Sequence, residues 1–222
     1  MKRLEIEIPS TLSEITLQQY KRYLKVVEEN QEGEYADRFI SLKMLEIFCN
    51  VPYKVALQLK MSDVGKAVHH LTSLLNSKQE LVQEFEIGDT TFGFLPKLDD
   101  MTFGEFIDLD TSISDWDKMH KAMAVLYRPI KKRVGKFYNV EEYRGDSYHE
   151  AMELTPLDAV FGSLLFFYHL GIELSKLMTS YIQEGSPKAQ HLQQVLEESG
   201  VGISQFTHSL TEMLEDLNIS QQ

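Results

Sequence analysis

Positive charge is scarce in this chain: 22 Lys and Arg stand against 34 Asp and Glu, for a formal net charge of −12. Affinity for nucleic-acid phosphates comes mainly from clustered Lys and Arg, so this balance argues against a function built on broad phosphate contact and predicts no sequence-specific nucleic-acid partner. The one local exception, Lys131-Lys132-Arg133 with Lys136, reads as a solvated loop. Cysteine is nearly missing. With Cys49 alone there is no intrachain disulfide, no CxxC motif and no thiolate zinc cluster, a usage that fits a reducing compartment. Long apolar runs are missing too. The most apolar stretch, residues 159–172, holds no acidic or basic residue other than His169. It falls short of the ~20 residues that span a bilayer, which predicts a helix buried in protein and no membrane partner. The start of the chain, with Lys2 and Arg3, lacks the apolar core of a signal peptide.

Catalytic signatures are equally sparse. The chain contains no Gly-x-Ser-x-Gly elbow, no phosphate-binding Gly-x-x-x-x-Gly-Lys-Ser/Thr loop, no Gly-x-Gly-x-x-Gly and no HExxH. His69 and His70 are adjacent and cannot share one side of a helix; one half-buried and one exposed ring is expected. His169, within the apolar stretch, reads as a hydrogen-bonded core histidine. The acids Asp99, Asp100, Glu105, Asp108 and Asp110 lack calcium-loop spacing and stand where acids favour a helix N-terminus. Cys49, beside Phe48 on an apolar helix face, reads as an inert thiol. Residues 52–71 resemble a helix-turn-helix superficially. The turn has Lys60 where glycine is usual, and the second helix offers only Lys66 and two histidines to phosphates. These readings predict no enzyme, no metal and no cofactor.

What is present is a sizeable core composition, 43% hydrophobic and 10% aromatic, and a doubled helix start. Ile15-Thr16-Leu17-Gln18-Gln19-Tyr20 is matched, 86 positions on, by Met101-Thr102-Phe103-Gly104-Glu105-Phe106. Each has a threonine cap, a Gln or Glu three residues later to complete a capping box, and apolar residues at staple spacing. Leu4, Ile6 and Ile8 alternate with charged residues before the first cap and predict a strand, with Phe92 and Phe94 in the equivalent places before the second. An apolar helix follows each capped helix, over residues 42–50 and 120–128, with Pro52 and Pro129 as terminators. Ser62 and Asp63 open a third helix in the first half. In the second half the third helix has Thr155 as cap, Pro156 at the first position and Asp158 in the first turn.

The segments around Gly88-Asp89 predict a hairpin. Residues 135–143 read as a strand or hairpin arm, ending in a turn at Arg144-Gly145-Asp146-Ser147. The expected architecture is a mainly α (α+β) protein. One domain over 1–183 comprises two degenerate strand-helix-helix-helix repeats, about 1–80 and 90–183, with a hairpin insertion at 130–153. A helical C-terminal extension covers 184–222. In that extension Phe206, Leu210, Met213, Leu214 and Leu217 fall on one helical stripe and are the candidate protein-binding residues.

Residues 94–110, with Trp116 and the run His120-Lys121-Ala122-Met123-Ala124-Val125-Leu126-Tyr127-Arg128-Pro129, resemble a family of structural or assembly proteins of tailed bacteriophages, among them crAss-like and other phages of Bacteroides. The resemblance covers about residues 90–180 and, loosely, the first helix. The capped helix with its following acids also resembles phage tail assembly chaperones. These likenesses imply a non-enzymatic morphogenesis protein in the head–tail or tail region, acting in the host cytoplasm during assembly or in the virion. The implied partners are other phage structural or assembly proteins, or further copies of the chain. The alternatives are a chaperone absent from the mature virion, or a host-takeover regulator or enzyme with a site around His169 and the acids of 99–110. No functional residue comes with the resemblance.

Overall fold

Both threonine caps are made. Thr16 opens α1 (Leu17–Glu29) and Thr102 opens α5 (Phe103–Ile113); each hydroxyl accepts the N–H three residues on, and the side chains of Gln19 and Glu105 accept the caps' own N–H groups. The flanking apolar residues are buried at α1 (Ile15, Tyr20) and half-buried at α5 (Met101, Phe106). The computed structural model describes residues 6–30, 32, 35–98, 101–145 and 147–183, and beyond Leu170 it describes the backbone and the Ile172 side chain. A 3-10 turn (Leu12–Glu14) precedes α1. Then come α2 (Ala36–Phe48), α3 (Tyr53–Ala56), α4 (Met61–Leu75), β1 (Glu84–Ile87), β2 (Thr90–Phe94), α5, α6 (Met119–Leu126), β3 (Tyr127–Val134), β4 (Phe137–Val140), α7 (His149–Met152) and α8 (Leu157–Gln183). The protein is mainly helical α+β, with one antiparallel sheet ordered β1-β2-β3-β4 among the described residues. None of the described helices is long and apolar enough to cross a membrane.

Helix α8 is the centre of the packing. Its buried side chains Leu157, Val160, Phe161 and Leu164 are at most 1% exposed. Phe161 meets Tyr20 of α1 and Trp116 edge-on. The sheet lies against the same helix, with Phe94 edge-on to Phe166. The Tyr127 hydroxyl donates to the Val82 carbonyl (2.6 Å) and lies 3.1 Å from Ser163 Oγ. At Gly162 the backbone of Glu80 approaches so closely that a Cβ would sit 2.2 Å from its carbonyl oxygen. Only glycine lets residues 80–81 cross the helix there.

Several expectations are corrected. Residues 6–9 form no strand; Pro9 has no N–H to give a ladder, and Ile8 is 39% exposed. Helix α6 stops at Leu126, before Pro129, because Tyr127, Arg128 and Pro129 pair with Phe94, Gly93 and Phe92 of β2. Pro129 thus lies within a strand, next to the irregularity between Ile130 and Lys132, where a missing N–H is tolerated. Thr155 does not cap α8: its hydroxyl donates to the Met152 carbonyl, and Pro156 takes the position before the helix. The backbone at 155–157 is used otherwise. Thr155 and Glu153 carbonyls accept the first N–H groups of α1, from Leu17 and Gln18, while Leu157 N–H donates to Ile15. Two helix starts, joined by the Thr16–Pro156 bridge, thereby satisfy each other's orphan groups. Helix α4 begins one residue before Ser62, without a side-chain cap. The β1–β2 hairpin turns at Gly88 with φ +59°, and β4 supplies the arm expected within 135–143.

Candidate functional site

Helix α2 ends at Phe48, and Asn50, in the left-handed region at φ 52°, turns the chain. Pro52 then opens the single turn α3, and Lys60 leads into α4. Helix α4 buries Ala67 and Leu71; half-buried Val64 and Val68 lie on the same face and pack against the core, and exposed Met61 and Gly65 stand at its edge. These face Leu42 of α2 and Leu57 and Leu59 after α3 across an open apolar groove of about 380 Å³. Met61 is 80% and Leu57 57% exposed. Gly65 gives the groove depth: a Cβ there would meet nothing within 4 Å. Glycine in mid-helix costs about 0.5–1 kcal/mol relative to alanine, and here it leaves the groove open.

Arg38 is the one charged residue among those lining the groove, and it has no ion-pair partner among the described residues. Elsewhere on α2, Lys43 pairs with Glu46 at 2.6 Å. The groove suits an apolar helix face, the helix-in-groove mode of recognition. The helix-turn-helix look of residues 52–71 therefore resolves into one wall of this groove.

A second cluster joins α1, α6 and α7. Lys21 Nζ donates to Glu153 Oε1 (2.7 Å) and to the Asp117 carbonyl (3.1 Å). His120 Nδ1 lies 3.2 Å from the same carboxylate, and the His149 ring stands edge-on to His120. Burial lowers the His120 pKa, with Glu153 opposing and Lys21 reinforcing that shift, so the ring is neutral near pH 7. With Lys21 already satisfying the carboxylate, the cluster ties three helices together.

The other candidates separate in space and in role. Asp99 and Asp100 lie outside the described residues. Glu105 is buried against Arg128 at 2.7 Å, Asp108 accepts from the Tyr143 hydroxyl, and burial raises the pKa of the half-buried Asp110. His169 is exposed on α8 rather than in the core. His69 and His70 are both exposed, His70 Nε2 lying 2.9 Å from the Pro9 carbonyl. Cys49 is buried, and burial pushes its thiol up to about 11. In the basic segment Arg133 pairs with Glu84 across the sheet, while Lys131, Lys132 and Lys136 are exposed on the β3–β4 arm beside Phe137. No group of three or more His, Cys, Asp or Glu fit to hold a metal occurs among the described residues. The stripe Phe206, Leu210, Met213, Leu214 and Leu217 lies outside the described residues.

Reading the sequence did not find the groove. The available signal was Gly65 in mid-helix beside Met61, at the edge of the apolar face that Val64, Ala67, Val68 and Leu71 form. Comparison of the chain with protein-family models, with curated proteins and with solved structures found no match.

Proposed function

We propose that the protein is a non-enzymatic morphogenesis factor of a tailed bacteriophage, working by protein–protein contact in the head–tail or tail region. The observation that carries this reading is the open apolar groove between α2, α3 and α4, with Met61 and Leu57 at its edge. Exposed concave apolar surface of this kind is characteristic of interaction sites. The phage context rests on the likeness of residues 94–129 and on no other observation. The partner class that suits the groove is an amphipathic helix laying its apolar face into it, contributed by another structural or assembly protein.

Mass spectrometry of purified virions, together with phage carrying Val64→Glu, tests this reading. Multiple copies per particle make the protein a virion component; absence from particles combined with failed assembly in the variant makes it a chaperone. Normal particle yield with a folded Val64→Glu protein refutes groove-mediated assembly.

A further inference from the structure

The β3–β4 arm gathers positive charge on a chain of net charge −12, and with it two apolar side chains left in solvent. Residues 131–137 are all exposed; they include Lys131, Lys132, Arg133 and Lys136, with Val134 at 66% and Phe137 at 83% exposure. We propose that this arm docks on an anionic lipid bilayer, Phe137 and Val134 entering the interface while the lysines meet headgroup phosphates. No described helix is long and apolar enough to cross a membrane, and an interfacial contact requires none. The contact is independent of the α2–α4 groove.

The ladder register sorts the arm into two faces. Arg133 stands opposite Tyr138, Val134 opposite Phe137 and Lys132 opposite Asn139; partners across an antiparallel ladder share a face, and neighbours along a strand alternate. The face with Arg133 and Tyr138 is fixed to the body. Arg133 pairs with Glu84, its guanidinium lies 5.9 Å from the centre of the Tyr138 ring, and the Tyr138 hydroxyl donates to the Phe94 carbonyl at 2.9 Å. Gly93 makes room for that ring, since a Cβ there would stand 2.5 Å from it. The opposite face holds Lys132, Val134, Phe137 and Asn139, all exposed. A fixed arm therefore presents an apolar pair and its cations together.

Charge selects an anionic partner, because Lys131, Lys132 and Lys136 form no ion pair among the described residues. The next acids along the chain, Glu141 and Glu142, follow the end of β4. Glu141 stands about 14 Å along the strand from Phe137, beyond the ~8 Å over which charge is felt at physiological ionic strength. Size selects among anionic partners. A specific protein interface takes about 20–30 residues a side, and single-stranded nucleic acid stacks its bases on aromatic faces; this face offers one aromatic and one aliphatic side chain. A bilayer takes up both without demanding a matching shape, and each lysine near an anionic surface strengthens binding about fivefold.

The test is co-sedimentation of the full-length protein with vesicles of phosphatidylcholine alone, or of phosphatidylcholine and phosphatidylglycerol in equal parts. The expected result is binding to the mixed vesicles only, weakening as salt is raised. Lys132→Gln and Lys136→Gln should each weaken it about fivefold, and Phe137→Ser about tenfold. All three positions are exposed, so the variants keep their fold, which circular dichroism checks. Phe137→Trp adds a direct readout: its emission should shift to the blue on mixed vesicles, while the parent protein, whose Trp116 is half-buried, shows no shift. Absence of binding to mixed vesicles, equal binding to both kinds, or binding that the variants leave unchanged would overturn the proposal. Binding of the Phe137→Trp protein without a shift would overturn it by placing the contact elsewhere. Retention of a single-stranded oligonucleotide instead of vesicles, lost in the lysine variants, would overturn it in favour of nucleic acid.

Discussion

The starts of α1 and α5 share one local code and put it to different tertiary uses. At α1 the capping-box residue is Gln19, whose amide has both an acceptor and a donor. Its Oε1 accepts the Thr16 N–H at 3.0 Å, and its Nε2 donates to the Ile47 carbonyl near the end of α2 at 2.8 Å. At α5 the residue is Glu105, a carboxylate with acceptors only. One oxygen accepts the Thr102 N–H at 2.6 Å; the other meets Arg128 at 2.7 Å, and Arg128 Nε donates to the Val125 carbonyl at 3.1 Å. Val125, near the end of α6, stands 78 positions after Ile47, the offset that relates residues 42–50 to 120–128. A helix start is thus tied to the end of the following helix in both places, once by a single amide and once through a buried ion pair. The surroundings differ as well. Leu17, the first residue of α1, is 0% exposed and its N–H bonds to Thr155, whereas Phe103, the first residue of α5, is 73% exposed.

The ion pair is the sharpest point at which to break this comparison. Glu105→Ala leaves Arg128 buried without its carboxylate and should cost about 3–5 kcal/mol, read by urea denaturation. The double substitution Glu105→Gln with Arg128→Asn rebuilds the amide chemistry of α1, since Asn50 stands where Arg128 does in the other half. It should recover most of the loss; a double variant as unstable as the single one would show that the two ties are not interchangeable. Next in size, Leu17→Ala should cost about 2–5 kcal/mol, while Phe103→Ala should stay within about 0.5 kcal/mol, as exposed positions do. A large loss at Phe103 would mean that this ring is covered in solution, by another copy or by chain outside the described residues. The smallest effects belong to the caps themselves. Thr16→Ala and Thr102→Ala should each cost about 0.5–2 kcal/mol, more at half-buried Thr16 than at exposed Thr102. Thermal melts of both variants that match the parent protein would show that water replaces the hydroxyls.

What was legible in the sequence was local. The two capping boxes need only four consecutive residues each, and the β1–β2 hairpin announced itself through Gly88-Asp89 between short apolar segments. Failures came where a distant partner outbid a local signal. Tyr127 to Pro129 continued a helical pattern, but pairing with β2 and the buried Tyr127 hydroxyl took them into a strand. Thr155 had the residue type of a cap, yet its carbonyl serves α1 and its own hydroxyl turns back to Met152. Ile6 and Ile8 had strand alternation, and no strand among the described residues pairs with them. His169 sits in an apolar run at a position that faces outward, which a burial guess from neighbours alone misjudged.

The sequence by itself determined where α1 and α5 begin, the mainly helical class with a small antiparallel element, the buried thiol and the acidic balance of charge. Each of these depends on residue type and near-neighbour spacing, which the chain carries without help. Only tertiary structure decided that α8 is the hub, that the starts of α1 and α8 seal each other, and that Glu105 requires Arg128. It also decided that the edge of α4's apolar face, with Met61 and Gly65, lines an open groove. Those outcomes depend on which distant backbone reaches an orphan N–H or an empty apolar face first, and no local pattern encodes that distance.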